Sequence, residues 1–303
     1  MEAVQNTPAP TTPFSAWIAA ARPKTLTAAW VPVFVASFLA HTQRGQLLPW
    51  VLVCALLSSL FIQIGTNLFN DAIDFKKGAD TAARVGPVRV TASGLISPRR
   101  VYGAATVCLV FATAFGVPLM IQGGLPILAV GLVSLFLCYG YTGGPFPLAY
   151  LGLGDLFVIL FFGLTAVGGT YFLHTGSLST ASLIAGLQAG LLATVLIAIN
   201  NFRDWQGDQR VGKNTLAVRF GPRFARLEIT FLNAAAFLLG AYWLGIGMWR
   251  VAVFPVIAAP LAVRVVRKIW TTEPGPEFNH LLGLSAAVHL IFGIGLCLGL
   301  ALS

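Results

Sequence analysis

Charge is what this sequence has least of. Only 10% of its 303 residues are Asp, Glu, Lys or Arg, against about a quarter in an ordinary soluble domain. With 57% hydrophobic residues and a mean hydropathy of +0.82, that shortage excludes a soluble domain of any size. Cysteine is scarce as well. Cys54, Cys108, Cys138 and Cys297 all lie inside apolar runs with no paired spacing, which excludes a disulfide framework or a zinc site and leaves small buried hydrophobes. The stretch Met1–Pro13 is polar and Pro/Thr-rich and lacks the basic-then-apolar order of a signal peptide. Residues 1–15 are expected to be a disordered tail, and 16–303 one transmembrane domain.

What the chain has in abundance is apolar runs long enough to cross a bilayer, recurring along its whole length. The expected fold class is all-α, a polytopic membrane protein. Nine candidate helices run over about 26–42, 50–70, 101–121, 125–141, 154–173, 182–203, 228–248, 250–267 and 280–302. The eighth is the weakest, its uncharged core bounded by Arg250 and Arg264, and Gly/Pro signals divide the uncharged 101–154 stretch.

The net charge of +9 invites a nucleic-acid partner, but the distribution argues for topology instead. With the N-terminus in the cytoplasm, 17 of the 19 Lys and Arg residues fall on the cytoplasmic side, leaving only Arg44 and Arg250 outside. So one-sided a pattern satisfies the positive-inside rule and supports nine spans. No nucleic acid is expected, and the expected location is the inner (cytoplasmic) membrane with the polar loops facing the cytoplasm.

Acids are fewer still, and their positions are informative. Five of the six aspartates, Asp71, Asp74, Asp80, Asp204 and Asp208, lie at or just beyond the cytoplasmic ends of the second and sixth candidate helices. Asn67, Asn70, Asp71 and Asp74 share one helix face at i, i+3, i+4 and i+7, and Asn200, Asp204 and Asp208 share another at i, i+4 and i+8. Each cluster ends the second helix of a four-helix run, which suggests two repeats.

Neighbouring carboxylates repel unless a cation compensates them, and carboxylate and carboxamide oxygens suit a hard ion such as Mg²⁺. The metal-ligand candidates are therefore Asn67, Asn70, Asp71, Asp74, Asn200, Asp204 and Asp208. Interleaved cations (Lys76, Lys77, Arg84, Arg89, Arg203 and Lys213) suit phosphate oxygens. Solvation of helix ends would explain one such cluster, but two matched clusters point to a metal–diphosphate site.

A diphosphate site opening into an apolar bundle suits an amphiphile such as a polyprenyl diphosphate. Departure of the diphosphate leaves an allylic cation for an electron-rich ring to capture, in a bundle that excludes water. Phe69, Tyr139, Tyr141, Phe161 and Phe162 are candidate cation-facing aromatics, although ordinary packing explains most of them. Tyr141 and Asp155 are candidates for the aromatic acceptor; an N-cap explains Asp155 equally well. Gly207–Asn214 imitates a P-loop, but it ends in Asn and no strand precedes it.

The segments ARPKTL (21–26), NDAIDFKKGADTAARVGPVRVTASGLIS (70–97), YTGGPFPLAYLGLGD (141–155) and NNFRDWQGDQRVGKNTLAVRFG (200–221) together resemble the UbiA superfamily of intramembrane prenyltransferases. That resemblance implies nine helices and two Asp-rich motifs, with Asn70, Asp71 and Asp74 in the first, Asn67 adjoining it, and Asp204 and Asp208 in the second. It implies that these four aspartates are catalytic, and that Arg22, Lys77, Arg84, Arg89, Arg203 and Lys213 contact diphosphate.

The softer likeness within the superfamily is to members that prenylate 1,4-dihydroxy-2-naphthoate with loss of CO₂, giving demethylmenaquinone in menaquinone biosynthesis. Other acceptors, namely 4-hydroxybenzoate, homogentisate or a chlorophyllide-type ring, are the alternatives within the enzyme class. A secondary transporter is the alternative outside it, disfavoured because transporter sites lie near the midplane on interrupted helices.

Overall fold

In lipid, an apolar segment can satisfy its backbone N–H and C=O groups only within itself or in a closed barrel. The computed structural model, which describes residues 12–78 and 85–303, takes the first course: every regular element among the described residues is a helix. In chain order these are α1 (Pro13–Ala21), α2 (Thr27–Arg44), α3 (Pro49–Lys76) and α4 (Pro98–Gly140). There follow α5 (Gly154–Thr175), α6 (Thr180–Arg210), α7 (Leu216–Gly245), α8 (Trp249–Thr271) and α9 (Phe278–Ala301). Of the tail expected over 1–15, residues 1–11 lie outside the described residues. Thr12 caps α1, whose first turn includes Pro13–Ser15.

Seven of these helices are long and apolar enough to cross a membrane, or eight if α1 and α2, bent by 50° across the Pro23–Thr25 turn, make one broken span. That count is lower than the nine expected. The difference lies in α4, a single element of 43 residues where two were expected. Gly124 (φ 64°, ψ −153°) leaves helical geometry inside it, and 43 residues at about 1.5 Å each are about twice the thickness of the hydrocarbon layer. The weak eighth candidate is α8, which carries a 3₁₀ segment at Phe254–Ala258.

The bundle is centred on α6, whose apolar window is 78% buried, while that of α4 is only 22% buried and forms an outer wall. The reason is side-chain size. Where lipid is as apolar as the protein, helices associate through small residues that let backbones approach. A Cβ on Gly163 of α5 would stand 2.5 Å from the Gly186 carbonyl oxygen of α6, and one on Gly190 would stand 2.8 Å from the Ile159 carbonyl oxygen. The facing stretch Ile159–Thr165 is π-helical, a local widening common at functional sites. The up-and-down path brings the C-terminal ends of α3, α4 and α6 and the N-terminal ends of α2, α5 and α9 to one face, where the functional side chains gather.

Candidate active site

The first polar face stands on the last turns of α3. Asp71 is buried, and its oxygens accept the backbone N–H groups of Val90 at 3.1 Å and Thr91 at 3.0 Å, together with the Thr91 hydroxyl. Asp71 thus anchors the segment that follows the first motif, and a spare lone pair remains on Oδ2, both sites on Oδ1 being taken by Thr91. Asp74 accepts from Arg89 Nη2 at 3.2 Å and from the Tyr150 hydroxyl at 3.1 Å. Asn70 accepts from the Thr142 hydroxyl. Asn67 donates to the Ala21 carbonyl at 2.9 Å and to Thr25 Oγ1 at 3.1 Å. It thereby brackets the corner at Arg22, the one non-glycine residue with positive φ (52°) among those described. Strain of that kind persists only where surrounding contacts over-determine it.

The second motif is organised around Arg203 rather than around its acids. The Arg203 guanidinium is fully buried. It forks onto both oxygens of Asp204 (2.8 and 2.5 Å) and also reaches Asn200 Oδ1 at 2.7 Å and Asn279 Oδ1 at 2.8 Å. Asn279, on α9, in turn donates to the Val85 carbonyl at 3.0 Å, tying the loop of the first motif to the arginine of the second. Asp208 pairs with Lys213 at 3.5 Å and keeps Oδ2 without a hydrogen-bond partner among the described residues.

Tyr150 joins the two halves. Beyond its bond to Asp74, its ring lies 4.0 Å from Lys77 Nζ and 5.9 Å from Lys213 Nζ. Its carbonyl accepts from Asn214 N at 3.1 Å. Lys77 also donates to the Thr142 carbonyl at 2.8 Å. Desolvation draws its ammonium below the usual lysine range, with Asp74 opposing that shift and Lys213 adding to it. The 141–153 loop can lie this close to the 211–215 loop because Gly152, at φ 69°, has no Cβ; one there would stand 2.5 Å from the Asn214 carbonyl oxygen.

Part of this set lines a cavity of about 320 Å³. From the expected site it brings together Asn67, Asn70, Asp71, Asp74, Arg22, Arg89, Tyr141, Asp155, Asn200 and Lys213. Asp204, Asp208, Arg203 and Lys77 stand outside its lining, and Arg84 lies outside the described residues, as does Asp80.

A second, apolar cavity of about 210 Å³ lies deeper, between α2, α3, α4 and α5. The two share Ala28, Thr66, Tyr141, Val158 and Phe162. On α4 the apolar lining runs from Cys138 back to Ile127, about 17 Å of helix, and takes in Met120, Leu119, Gly116 and Ala112 before the Gly124 break. Phe161 lines it too. Phe69 and Tyr139 instead pack edge-on against each other at 5.5 Å, away from both cavities. Burial, reinforced by Asp155, pushes the Tyr141 phenol well above its ordinary pKa, so it stays protonated. Asp155 is not an N-cap: Leu153 holds that position, and Asp155 sits buried in the first turn.

Sequence reading missed Gln63, Asn201, Lys24 and Tyr150. Gln63 extends the polar face of α3 one turn inward at i−4 from Asn67, so the same periodicity would have found it. Asn201 is one residue off the chosen face, and Tyr150 carries no local signal because the partners named above come from two distant segments, the end of α3 and the 211–215 loop.

Among the described residues no group of three or more His, Cys, Asp or Glu side chains stands close enough to hold a metal ion. The cavity is lined by three carboxylates, of which Asp71 and Asp74 share the α3 face with Asn67 and Asn70 while Asp155 stands on α5, and by the further amides of Asn200 and Asn201. That donor set fits a hard cation which keeps its waters and takes its remaining ligands from a phosphate.

The model of the UbiA prenyltransferase family matches residues 29–281. A 1,4-dihydroxy-2-naphthoate octaprenyltransferase from Escherichia coli (strain K12) is 36% identical over 302 residues, covering 93% of this chain and 95% of that protein. One of the same description from Haemophilus influenzae is 32% identical over 296 residues, covering 93% and 96%. Among solved structures, a UbiA homolog from Archaeoglobus fulgidus bound to DMAPP and Mg²⁺ superposes with a TM-score of 0.60 at 17% identity, covering 93% of this chain and 98% of that one. Paired polar helix ends over an apolar cavity therefore sit in a fold already known, and the chain belongs to the UbiA prenyltransferase family.

Proposed function

We propose that this protein transfers a polyprenyl group from a polyprenyl diphosphate to 1,4-dihydroxy-2-naphthoate, with loss of CO₂, giving demethylmenaquinol, the reduced form of demethylmenaquinone. The observation that carries this reading is the adjacency of the two cavities: a cationic, amide- and carboxylate-lined chamber shares Ala28, Thr66, Tyr141, Val158 and Phe162 with an apolar one. An amphiphile with a multiply charged head and a hydrocarbon tail fits that pair. The relatives named for the naphthoate reaction support the acceptor.

Arg22, Lys24, Arg89 and Lys213 line the head chamber and offset the diphosphate charge. Asp71, Asp74 and the neighbouring asparagine oxygens would hold Mg²⁺, which when bound would supply further charge stabilisation to the leaving group. The homologue bound to DMAPP and Mg²⁺ supports that cofactor. Asp204 and Asp208 act from the rim, Asp204 through Arg203 and Asn200.

The carbon–oxygen bond breaks with its electron pair leaving on diphosphate, and the new carbon–carbon bond forms at the ring carbon bearing the carboxylate. That carboxylate departs as CO₂ and returns the bonding pair to the ring, so the step needs no external oxidant or base and yields the quinol, demethylmenaquinol; the quinone forms from it only by a later two-electron oxidation, by O₂ in air. The apolar walls exclude water from the allylic cation, and Tyr141 and Phe162 present aromatic faces where the chambers meet. We place the protein as a single domain over 16–303 in the inner membrane, with the N-terminus and the site on the cytoplasmic side, as the arginine and lysine distribution supports.

The test is product analysis by mass spectrometry. Purified protein is incubated with a polyprenyl diphosphate, Mg²⁺ and either 1,4-dihydroxy-2-naphthoate or 4-hydroxybenzoate, with an EDTA control. A demethylmenaquinol mass, or that of the demethylmenaquinone it gives on air oxidation, from the naphthoate alone and absent with EDTA, is the expected result. Product from the benzoate alone would overturn the acceptor, and full product in EDTA would overturn the metal.

A further inference from the structure

Two residues that line the polar cavity each carry a buried oxygen with no hydrogen-bond partner among the described residues, Gln63 Oε1 and Asp155 Oδ1. Gln63 is 7% exposed and Asp155 4%. A buried acceptor left unpaired is costly, so each requires a partner that the described residues do not supply.

The chemistry of its neighbour fixes which end of the Gln63 amide faces the cavity. Thr25 has one hydroxyl hydrogen, committed to the Arg22 carbonyl at 2.9 Å. Toward other side chains its oxygen can therefore only accept. It accepts from Asn67 Nδ2 at 3.1 Å and from the Gln63 amide nitrogen at 3.3 Å. The NH₂ group of Gln63 is thus bound to Thr25, and its carbonyl oxygen is turned away from that contact.

A ligand that satisfies both oxygens must bring two donors on an apolar body, because Ala193, Leu196, Ile197 and Phe162 form apolar walls of the same cavity. We propose that Gln63 and Asp155 form the acceptor subsite, each accepting one of the two ring hydroxyls of a dihydroxylated aromatic acid. This rests on the prenyl-transfer reading above and adds the residues that select the acceptor. Charge assigns the two ends. The Asp155 carboxylate repels the substrate carboxylate and takes the hydroxyl remote from it. Gln63 is neutral and adjoins the Arg22–Thr25 corner with its cations, so it takes the hydroxyl beside the substrate carboxylate.

The experiment is ligand binding to the purified full-length protein in lipid nanodiscs by isothermal titration calorimetry, without prenyl diphosphate or metal. Three ligands are compared: 1,4-dihydroxy-2-naphthoate, 1-hydroxy-2-naphthoate, which lacks the remote hydroxyl, and 4-hydroxy-2-naphthoate, which lacks the near one. The wild-type protein, where no variant need fold, should bind each analogue about tenfold more weakly than the diol. Gln63→Met should bind the diol about tenfold more weakly and no longer distinguish it from 4-hydroxy-2-naphthoate. Asp155→Leu should no longer distinguish the diol from 1-hydroxy-2-naphthoate. Equal wild-type affinity for all three ligands, wild-type affinity in Gln63→Met, or an exchange of the two variant patterns overturns the subsite. Any of these outcomes with diol turnover intact leaves the prenyl-transfer reading standing. Failure of the wild type to bind any of the three defeats that reading as well.

Discussion

Replacing Arg203 is the sharpest test of how the second motif is built. Its guanidinium is fully buried and makes four short contacts, two of them a fork on Asp204, whose own side chain is 14% exposed. Removing one partner of a buried ion pair leaves an uncompensated charge and costs about 3–5 kcal/mol; the partial exposure of Asp204 puts this case at about 3. Arg203→Lys keeps the charge but not the planar fork and should lose about 1.5 kcal/mol. The decisive variant is Arg203→Leu/Asp204→Leu, which removes the stranded carboxylate and should be more stable than Arg203→Leu alone. Equilibrium unfolding in mixed micelles, followed by circular dichroism, measures all three. A double variant no more stable than the single one, or an Arg203→Leu protein as stable as wild type, would refute the view that Arg203 holds Asp204 in place.

Two further outcomes are expected. Tyr150→Phe keeps the ring under Lys77 and loses the hydroxyl bond to Asp74, whereas Tyr150→Leu loses both. Steady-state kinetics should show a raised Mg²⁺ requirement in both variants, with KM for polyprenyl diphosphate rising only in the leucine variant by about three- to tenfold, from the cation–π contribution. Identical behaviour of the two would show that the ring plays no part. A cysteine placed at position 207, beside the second motif, should react with an impermeant thiol reagent only in inside-out vesicles, and labelling in intact cells would reverse the orientation.

Much of this was legible in the sequence because a membrane leaves few options. The shortage of charge, the apolar runs and the amide–carboxylate face of α3 specify helices in lipid with a polar end. Asn67, Asn70, Asp71 and Asp74 do meet at one cavity, because the 3.6-residue period survives folding. The same period did not tell which side of α6 faces the cavity. Asn200, Asp204 and Asp208 share a stripe, yet only Asn200 lines the cavity, with its neighbour Asn201. Arg203, expected to contact diphosphate, is bound instead to Asp204, Asn200 and Asn279.

The sequence by itself determined the class of the protein, all-helical and membrane-embedded, and the end of the bundle where its chemistry gathers, since hydropathy and helical spacing are local properties. Only the tertiary structure decided which polar atoms are consumed by partners and which remain for a substrate. Asp71 could not be recognised as the anchor of residues 90–91, nor Tyr150 as the bridge between the motifs, nor Gln63 as an open acceptor. Each depends on contacts between segments far apart in the chain, and a hydrogen bond is satisfied or left open by its neighbours in space, whatever the spacing along the helix.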